Sequence, residues 1–234
     1  MQHAREQIVA AARRLSARGL LVATGGNLSV RVPGADAFAI TPSDLDYGLM
    51  QPEDVCVLRL DLTSVDARRK PSIESSLHAA VYRARPDAGA VVHTHQPYAS
   101  AVALLGLPIP ALFDEQVRFL GRRVEVVPYR PSGTGMLRSA LERRLASRAN
   151  AYILANHGAV CIGPDLGRAE TNVELLEKCA MAFVLALCTE RKISKIPLLV
   201  REIAFSRLKA DQDAAGRRAA EQAAALRAAQ ESEP

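Results

Sequence analysis

The chain has 234 residues, of which 49% are hydrophobic, and its formal net charge is +5. Such a length and composition exclude a largely disordered chain and are typical of one globular domain, although two domains are possible. Aromatic residues make up only 4% and the arginines are scattered among acidic residues, so we expect no nucleic-acid partner.

The cysteines and the apolar runs indicate the compartment. Cys56, Cys161, Cys179 and Cys188 form no C-x-x-C pair and no disulfide framework, so we expect them to be core thiols in a reducing compartment. The N-terminus lacks the apolar stretch of a signal peptide, and no apolar run reaches membrane-spanning length. The sequence therefore predicts a soluble, cytoplasmic protein with no membrane partner.

Hydrophobic spacing predicts helices and strands in alternation along the chain. In the first half it predicts a helix over 2–18, strands over 28–32, 38–40 and 55–60, and a helix over 74–85 with Ser72 as its candidate N-cap. The second half contains predicted strands over 88–95, 124–127, 151–154 and 159–162, and predicted helices over 97–105, 136–146, 165–192 and 203–230. With no internal repeat and no clear linker, this order favours a single α/β/α layered domain.

Two histidines, His93 and His95, end the predicted strand over 88–95. Alternate residues of a strand project to the same side, so both imidazoles can reach one divalent metal, although paired histidines also occur at wet strand ends. His157 follows another strand and precedes Gly158, and it is the natural third ligand, or else a turn histidine bonded to backbone. Three histidines would leave open coordination positions, as in catalytic metal sites.

Glu74 lies in the first turn of its predicted helix, one turn before His78 on the same face. A carboxylate there could be a fourth metal ligand or a general base, but it could also simply favour the positive end of the helix dipole. For His78 we expect a structural or supporting role rather than ligation.

Small and hydroxyl residues follow several predicted elements. The segments 25–29 and 41–43 and the residue Ser72 offer hydroxyls and backbone N–H groups that could bind phosphate or carboxylate, or could merely form turns. No complete P-loop or G-x-G-x-x-G motif is present, which disfavours a nucleotide-binding fold.

Together these segments resemble the class II aldolase/adducin family, whose best-known members include fuculose-phosphate aldolases and ribulose-phosphate epimerases. The resemblance covers residues 5–205 and rests on five motifs, which are Gly26-Asn27-Leu28-Ser29, Ile40-Thr41-Pro42-Ser43, Pro71-Ser72-Ile73-Glu74 with His78, His93-Thr94-His95 and Asn156-His157-Gly158. It implies a three-layer α/β/α domain around a mostly antiparallel sheet over 1–205, followed by an Ala- and Arg-rich helical tail over 206–234. It also implies a homotetramer with active sites between subunits.

The resemblance further implies a metal-dependent lyase acting on a small hydroxy-carbonyl substrate, possibly a sugar phosphate, through a metal-stabilised enediolate. His93, His95 and His157 would hold a divalent ion, most commonly Zn²⁺, with Mn²⁺, Fe²⁺ or Co²⁺ as alternatives. Glu74 would ligate the empty site and act as acid or base once substrate arrives. The remaining implied site residues are Asp114 or Glu115 as an acid from a facing subunit, and Gly26, Asn27, Ser43, Asp44, Ser72 and Ile73 around the substrate.

Two of those positions depart from the phosphate-binding members. Ile73 stands where they have a second hydroxyl residue, and Asp44 stands where they have glycine. A carboxylate at position 44 would repel a phosphate if it faced the pocket. The tyrosine that the aldolase uses at its interface also has no counterpart over 207–210. These departures leave open a decarboxylase, dehydratase or epimerase acting on a non-phosphorylated hydroxy acid. A non-catalytic adducin-like module is a third possibility, but it would have no use for the histidines and the glutamate.

Overall fold

A computed structural model describes residues 1–231 of the chain, and the last three residues of the expected tail lie outside the described range. Eight strands form one sheet, namely β1 (Asn27–Arg31), β2 (Ala37–Ile40), β3 (Cys56–Arg59), β4 (Ser64–Asp66), β5 (Ala90–Thr94), β6 (Glu125–Val127), β7 (Ala151–Leu154) and β8 (Gly158–Gly163). Their order across the sheet is β4-β3-β2-β1-β5-β8-β7-β6. All neighbours are antiparallel except β6 and β7.

Helices cover both faces of this sheet. They are α1 (Gln2–Ala17), α2 (Ser75–Ala84), α3 (Pro97–Leu105), α4 (Asp114–Phe119), α5 (Gly135–Glu142), α6 (Leu166–Leu187) and α7 (Leu198–Glu231), with short 3₁₀ turns at Pro52–Asp54 and Leu145–Ser147. The predicted three-layer α/β/α architecture with a mostly antiparallel sheet is therefore confirmed.

Two apolar cores explain the layers. Strand side chains alternate between faces, so Val92 of β5 joins a cluster with α1, α3 and α6, whereas Val91 joins a cluster with α2 and α5. The central strands β5, β7 and β8 are buried along their whole length, as expected for a sheet covered on both faces. This arrangement places the end of β5 beside the start of β8, and therefore close to the turn that joins β7 and β8.

Two local predictions are wrong. The N-cap of α2 is Glu74 rather than Ser72, because the Ser72 N–H donates to the Thr41 carbonyl and keeps residues 71–73 outside the helix. The Ser72 hydroxyl instead accepts from the Glu74 N–H at 3.3 Å. Cys188 is exposed at the end of α6 rather than buried in the core.

Two elements were not predicted at all. The polar residues after β3 form the edge strand β4, whose side chains are all exposed and therefore lack a hydrophobic alternation. The six-residue helix α4 is stabilised by tertiary packing, since Val117 lies against Phe205 and Leu208 of α7. Helix α7 begins at Leu198, earlier than predicted, and runs as one helix to Glu231.

None of the helices in the described part of the chain combines the length and apolarity that a bilayer crossing requires.

Candidate metal centre and active site

Three imidazoles meet at the ends of β5 and β7. Possible ligand nitrogens of His93, His95 and His157 all lie within 4.8 Å of one another. The Nε2 atoms of His93 and His95 are only 2.9 Å apart, and the His157 ring centroid lies 4.7 Å from that of His93. Nitrogens this close need a proton or a cation between them, because two lone pairs repel each other. The structure thus brings together the three histidines proposed as ligands from the sequence.

Backbone pairing sets the tautomer of His93. Its ring is fully buried, and Nδ1–H donates to the carbonyl of Ala159 on β8 at 2.8 Å. This bond leaves the Nε2 lone pair free and points it at the other two rings, which is the usual way a second hydrogen bond orients a metal-binding histidine. No described residue bonds to Nδ1 of His157, so that ring lacks the same constraint.

The other two histidines are placed by a tight turn and a close approach. Asn156 adopts φ = 55°, which asparagine tolerates better than most residues, and the turn presents His157 between β7 and β8. A Cβ on Gly158 would lie 2.4 Å from the Thr94 carbonyl oxygen and 2.6 Å from Cδ2 of His95. Position 158 therefore has space only for glycine when His95 is in place.

The electrostatics of the cluster suit a cation. Burial and the neighbouring His93 lower the pKa of His95 to about 4, and the same two causes lower the pKa of His157. Both imidazoles are therefore neutral at pH 7 and can donate lone pairs. Neutral imidazoles with a carboxylate beside them are the donor set that zinc and similar divalent ions prefer, so the residues present fit such an ion.

Glu74 is the carboxylate beside the three histidines. Its Oε2 lies 3.1 Å from Nε2 of His93, and its Oε1 lies 3.4 Å from Nε2 of His157. Two amide or hydroxyl groups hold it there, Nδ2 of Asn27 at 2.8 Å and the Ser132 hydroxyl at 2.9 Å. Burial raises the pKa of Glu74, but His93 and these two hydrogen bonds outweigh that effect and lower the pKa to about 2. The carboxylate is therefore ionised at neutral pH.

A buried hydrogen-bond chain supports Glu74 from behind. The Tyr82 hydroxyl and the Ser29 hydroxyl are 2.7 Å apart, and Ser29 lies 2.6 Å from Nδ1 of His78. His78 Nε2 then lies 2.5 Å from Oδ1 of Asn27, whose Nδ2 donates to Glu74. Burial of His78 lowers its pKa to about 3, so the ring is neutral and donates through one nitrogen while accepting at the other. This chain fixes the orientation of the Asn27 amide.

The supporting role expected for His78 agrees with this geometry. Ser132 and Tyr82 were not identified from the sequence, because nothing in their local context marks them. The partners are 53 residues apart for Ser29 and Tyr82 and 58 apart for Ser132 and Glu74, so only the tertiary fold brings them together.

Of the expected substrate-binding residues, Asn27 and Ser72 contact Glu74 directly. Gly26 adopts φ = 85°, and its carbonyl accepts from the Tyr47 hydroxyl at 2.7 Å. The Ser43 hydroxyl donates to the Pro71 carbonyl at 2.9 Å. The Ser72 hydroxyl accepts from the Glu74 N–H, so its own proton is available to a ligand.

Asp44 and Ile73, the two positions that depart from the phosphate-binding members, lie at the edge of this group. Asp44 is exposed and adopts φ = 57°. Ile73 is 58% exposed and lies against Gly133, one residue after Ser132. The side chain at position 73 therefore packs on the loop that reaches Glu74.

The two acids expected to act from a facing subunit lie outside the histidine cluster of their own chain. Asp114 is exposed in the first turn of α4, and Glu115 pairs with Lys178 of α6. Among the contacts described for residues 1–231, neither acid touches the histidines or Glu74.

Comparison with known proteins places the chain in a family. Residues 6–184 match the Class II Aldolase and Adducin N-terminal domain. The 5-deoxy-D-ribulose 1-phosphate aldolase of Bacillus thuringiensis serovar kurstaki is 39% identical over 183 residues, covering 78% of this chain and 85% of that protein. The 3-oxo-tetronate 4-phosphate decarboxylase of Haemophilus influenzae is 33% identical over 183 residues, covering 76% and 86%. A solved L-fuculose 1-phosphate aldolase superposes with a TM-score of 0.83 at 29% identity, covering 88% and 96%.

The chain belongs to the class II aldolase/adducin family. The resemblance drawn from its motifs is confirmed, as is the expectation of an enzyme of the carbon–carbon lyase class. Class II aldolases depend on a divalent metal, and the histidine cluster is where this chain could hold one.

Proposed function

We propose that this chain is a metal-dependent aldolase that cleaves and forms the carbon–carbon bond of a phosphorylated ketose. The observation that carries the proposal is the convergence of three imidazoles on one buried, ionised glutamate. In this proposal His93, His95 and His157 hold the ion, and zinc is the ion that this donor set favours. The bound ion supplies a Lewis acid that polarises the substrate carbonyl.

Glu74 moves the proton. In the cleavage direction, the hydroxyl beside the breaking bond loses a proton as an aldehyde is released, and the other fragment gains a proton at carbon. A carboxylate held by Asn27 and Ser132 at one edge of the site is placed to exchange that proton. Asp114 or Glu115 of a facing subunit would serve as the second acid, in a homotetramer with interfacial sites.

The substrate carries a phosphate in this proposal. The two similar aldolases and the similar decarboxylase are all named for phosphorylated substrates. The Ser72 hydroxyl and the second N–H of Asn27 are available to donate to a phosphate oxygen, with Gly26 next to Asn27 in the chain and Ser43 bonded to the Pro71 carbonyl. Asp44 is exposed, so water and salt screen its charge and weaken its repulsion of the phosphate. Residues 1–205 would form the catalytic domain, and the residues after 205 would form a helical tail. The protein would act in the cytoplasm.

A decarboxylase of a phosphorylated 3-oxo acid is the second candidate. The Haemophilus relative supports it, because decarboxylation also leaves electron density on the carbon beside a polarised carbonyl. The same metal centre could then serve either reaction, and loop residues would decide between them.

A substrate panel separates these candidates. The metal-loaded protein is offered 5-deoxy-D-ribulose 1-phosphate, L-fuculose 1-phosphate, their dephosphorylated sugars and 3-oxo-tetronate 4-phosphate. We expect aldehyde release from a ketose 1-phosphate, loss of this activity with chelator, and recovery with zinc. Carbon dioxide release from the 3-oxo acid with no aldehyde from either ketose would favour the decarboxylase. Faster turnover of the sugars without phosphate would contradict the proposed phosphate site.

Two substitutions test the residue roles. Glu74→Gln should keep the fold and lose at least about 100-fold in kcat, because the positioned proton acceptor is removed. Glu53→Gln, at an exposed position, is the matched control. His93→Ala should lower bound metal well below that of the parent and of His3→Ala, whose histidine lies outside the cluster. Unchanged metal content in His93→Ala would remove His93 from the ligand set.

A further inference from the structure

Three arginines surround a cavity next to the loop that reaches Glu74. The cavity has a volume of about 610 Å³ and is lined by Arg130, Thr134, Gly135, Met136, Arg138, Ser139 and Arg143. No acidic side chain lines it. The loop residues 130–135 contribute both to this cavity and, through Ser132, to the hydrogen bond on Glu74.

These guanidinium groups lack acidic partners. None of the ion pairs within residues 1–231 includes Arg130, Arg138 or Arg143. Within the described part of the chain, the Arg130 guanidinium donates only to the neighbouring Tyr129 carbonyl. Arg138 is partly buried, and its Nε has neither solvent contact nor a hydrogen-bond partner in the described structure. Like charges around one cavity repel one another, and an anion between them would relieve that repulsion.

A larger cavity, beside the start of α7, differs in this respect. It has a volume of about 1230 Å³ and is also lined by basic side chains. However, Arg122 and Arg201 in its wall already pair with Glu202, and Arg123 pairs with Glu125. Those three arginines are paired within the chain, whereas the three around the smaller cavity are not; Lys192 and Lys195, also in the larger wall, make none of the ion pairs described for residues 1–231.

We propose that this arginine pocket, defined by Arg130, Arg138, Arg143, Thr134 and Ser139, binds a phosphate group. Guanidinium groups donate pairs of parallel N–H bonds that match phosphate oxygens, and the Ser139 hydroxyl and the free N–H groups at the start of α5 add further donors. A phosphate with two negative charges balances the three guanidinium charges better than a carboxylate ligand with one negative charge. The pocket is separate from the residues proposed to bind the substrate near Glu74.

Binding there would act on the catalytic loop. An anion held by Arg130 on one side of the loop and by Arg138 on α5 would fix the segment between them. Ser132 lies in that segment, so its bond to Glu74 would be fixed as well. Two sources can supply this phosphate, namely the substrate, whose phosphate would then bind here instead of at Ser72 and Asn27, or a separate phosphorylated molecule or free phosphate. The two sources affect kinetics differently.

Direct binding is the first experiment, and it does not depend on the proposed aldolase activity. Inorganic phosphate is titrated by calorimetry into the metal-loaded parent, Arg138→Gln with Arg143→Gln, and the control Arg191→Gln at an exposed position. We expect the double variant to lose about tenfold or more in affinity for one phosphate per chain, or about 1.4 kcal/mol. The control should bind like the parent. Equal phosphate binding by all three proteins would overturn the proposal.

Kinetics then assign the source, and this arm rests on the proposed function. If the substrate's own phosphate occupies the pocket, the double variant raises KM for a ketose 1-phosphate without altering that for the dephosphorylated sugar. If a separate phosphate occupies it, KM in phosphate-free buffer is unchanged, and the response of kcat to added phosphate disappears. Ser72→Ala, which leaves the arginines intact, should retain the calorimetric signal of the arginine pocket.

Discussion

His78 is at the middle of the buried hydrogen-bond chain behind Glu74, and His78→Leu tests what that chain does. Leucine fills much of the same space but removes both ring nitrogens. Asn27 Oδ1 then loses its partner and the Ser29 hydroxyl keeps only Tyr82, in residues that are only 4% and 0% exposed. An unsatisfied buried polar group costs about 1–3 kcal/mol and the lost Ser29 bond about 1 kcal/mol, so the free energy of unfolding should fall by about 2–4 kcal/mol.

The same change should reduce turnover. Without His78, nothing fixes which end of the Asn27 amide faces Glu74, and a carbonyl oxygen turned toward the carboxylate would repel it. We expect kcat to fall by about 10- to 100-fold, which is the usual consequence of displacing a reacting group by an ångström or less. KM should change little, because His78 is fully buried and does not reach the substrate.

Tyr82→Phe is the matched control, since it removes only the last member of the hydrogen-bond chain, at the end far from Glu74. It removes one hydroxyl while leaving the Ser29–His78–Asn27 contacts in place, so it should cost about 1 kcal/mol and preserve kcat. Urea unfolding of the metal-free proteins and steady-state kinetics of the metal-loaded ones measure both effects. If His78→Leu were as stable and as active as Tyr82→Phe, our account of the chain would be wrong.

Two further predictions concern packing and protonation at the same centre. Gly158→Ala should destabilise the chain by about 1–3 kcal/mol and lower metal content, because the new methyl group would overlap the Thr94 carbonyl and displace His95. The control Gly216→Ala adds a methyl in ordinary contact and should unfold no earlier than the parent in the same urea titration. Burial lowers the pKa values of His78 and His95 to about 3 and about 4, whereas a histidine in the unfolded chain has a pKa of about 6.5. Below that value the unfolded chain binds protons at these two histidines that the folded chain does not bind. The contribution of the two histidines to the free energy of unfolding of the metal-free protein is therefore complete above that value and is lost as the pH falls. The slope should reach about 1.4 kcal/mol per pH unit for each histidine between pH 6 and 4, and a stability profile that stays flat over this range would contradict the assignment.

The sequence was sufficient for most elements and for the proposed ligands. Their periodicity is local, and motifs such as His93-Thr94-His95 report the strand geometry that orients them. It failed where tertiary contacts decide the outcome. The edge strand β4 lacks an apolar face, α4 depends on α7, and the start of α2 is displaced from Ser72 by a bond to Thr41.

By itself, then, the sequence determined the order of the layers, the identity of three converging histidines and the family, because each depends on residues close together in the chain or on motifs in a set order. Only the tertiary structure decided how the site is held. Ser132 and Asn27 reach Glu74 from 58 and 47 residues away, and Arg130 meets Arg138 and Arg143 around a cavity that no local pattern marks. Such contacts depend on how the sheet and its two helical layers pack, and that packing is a property of the whole chain.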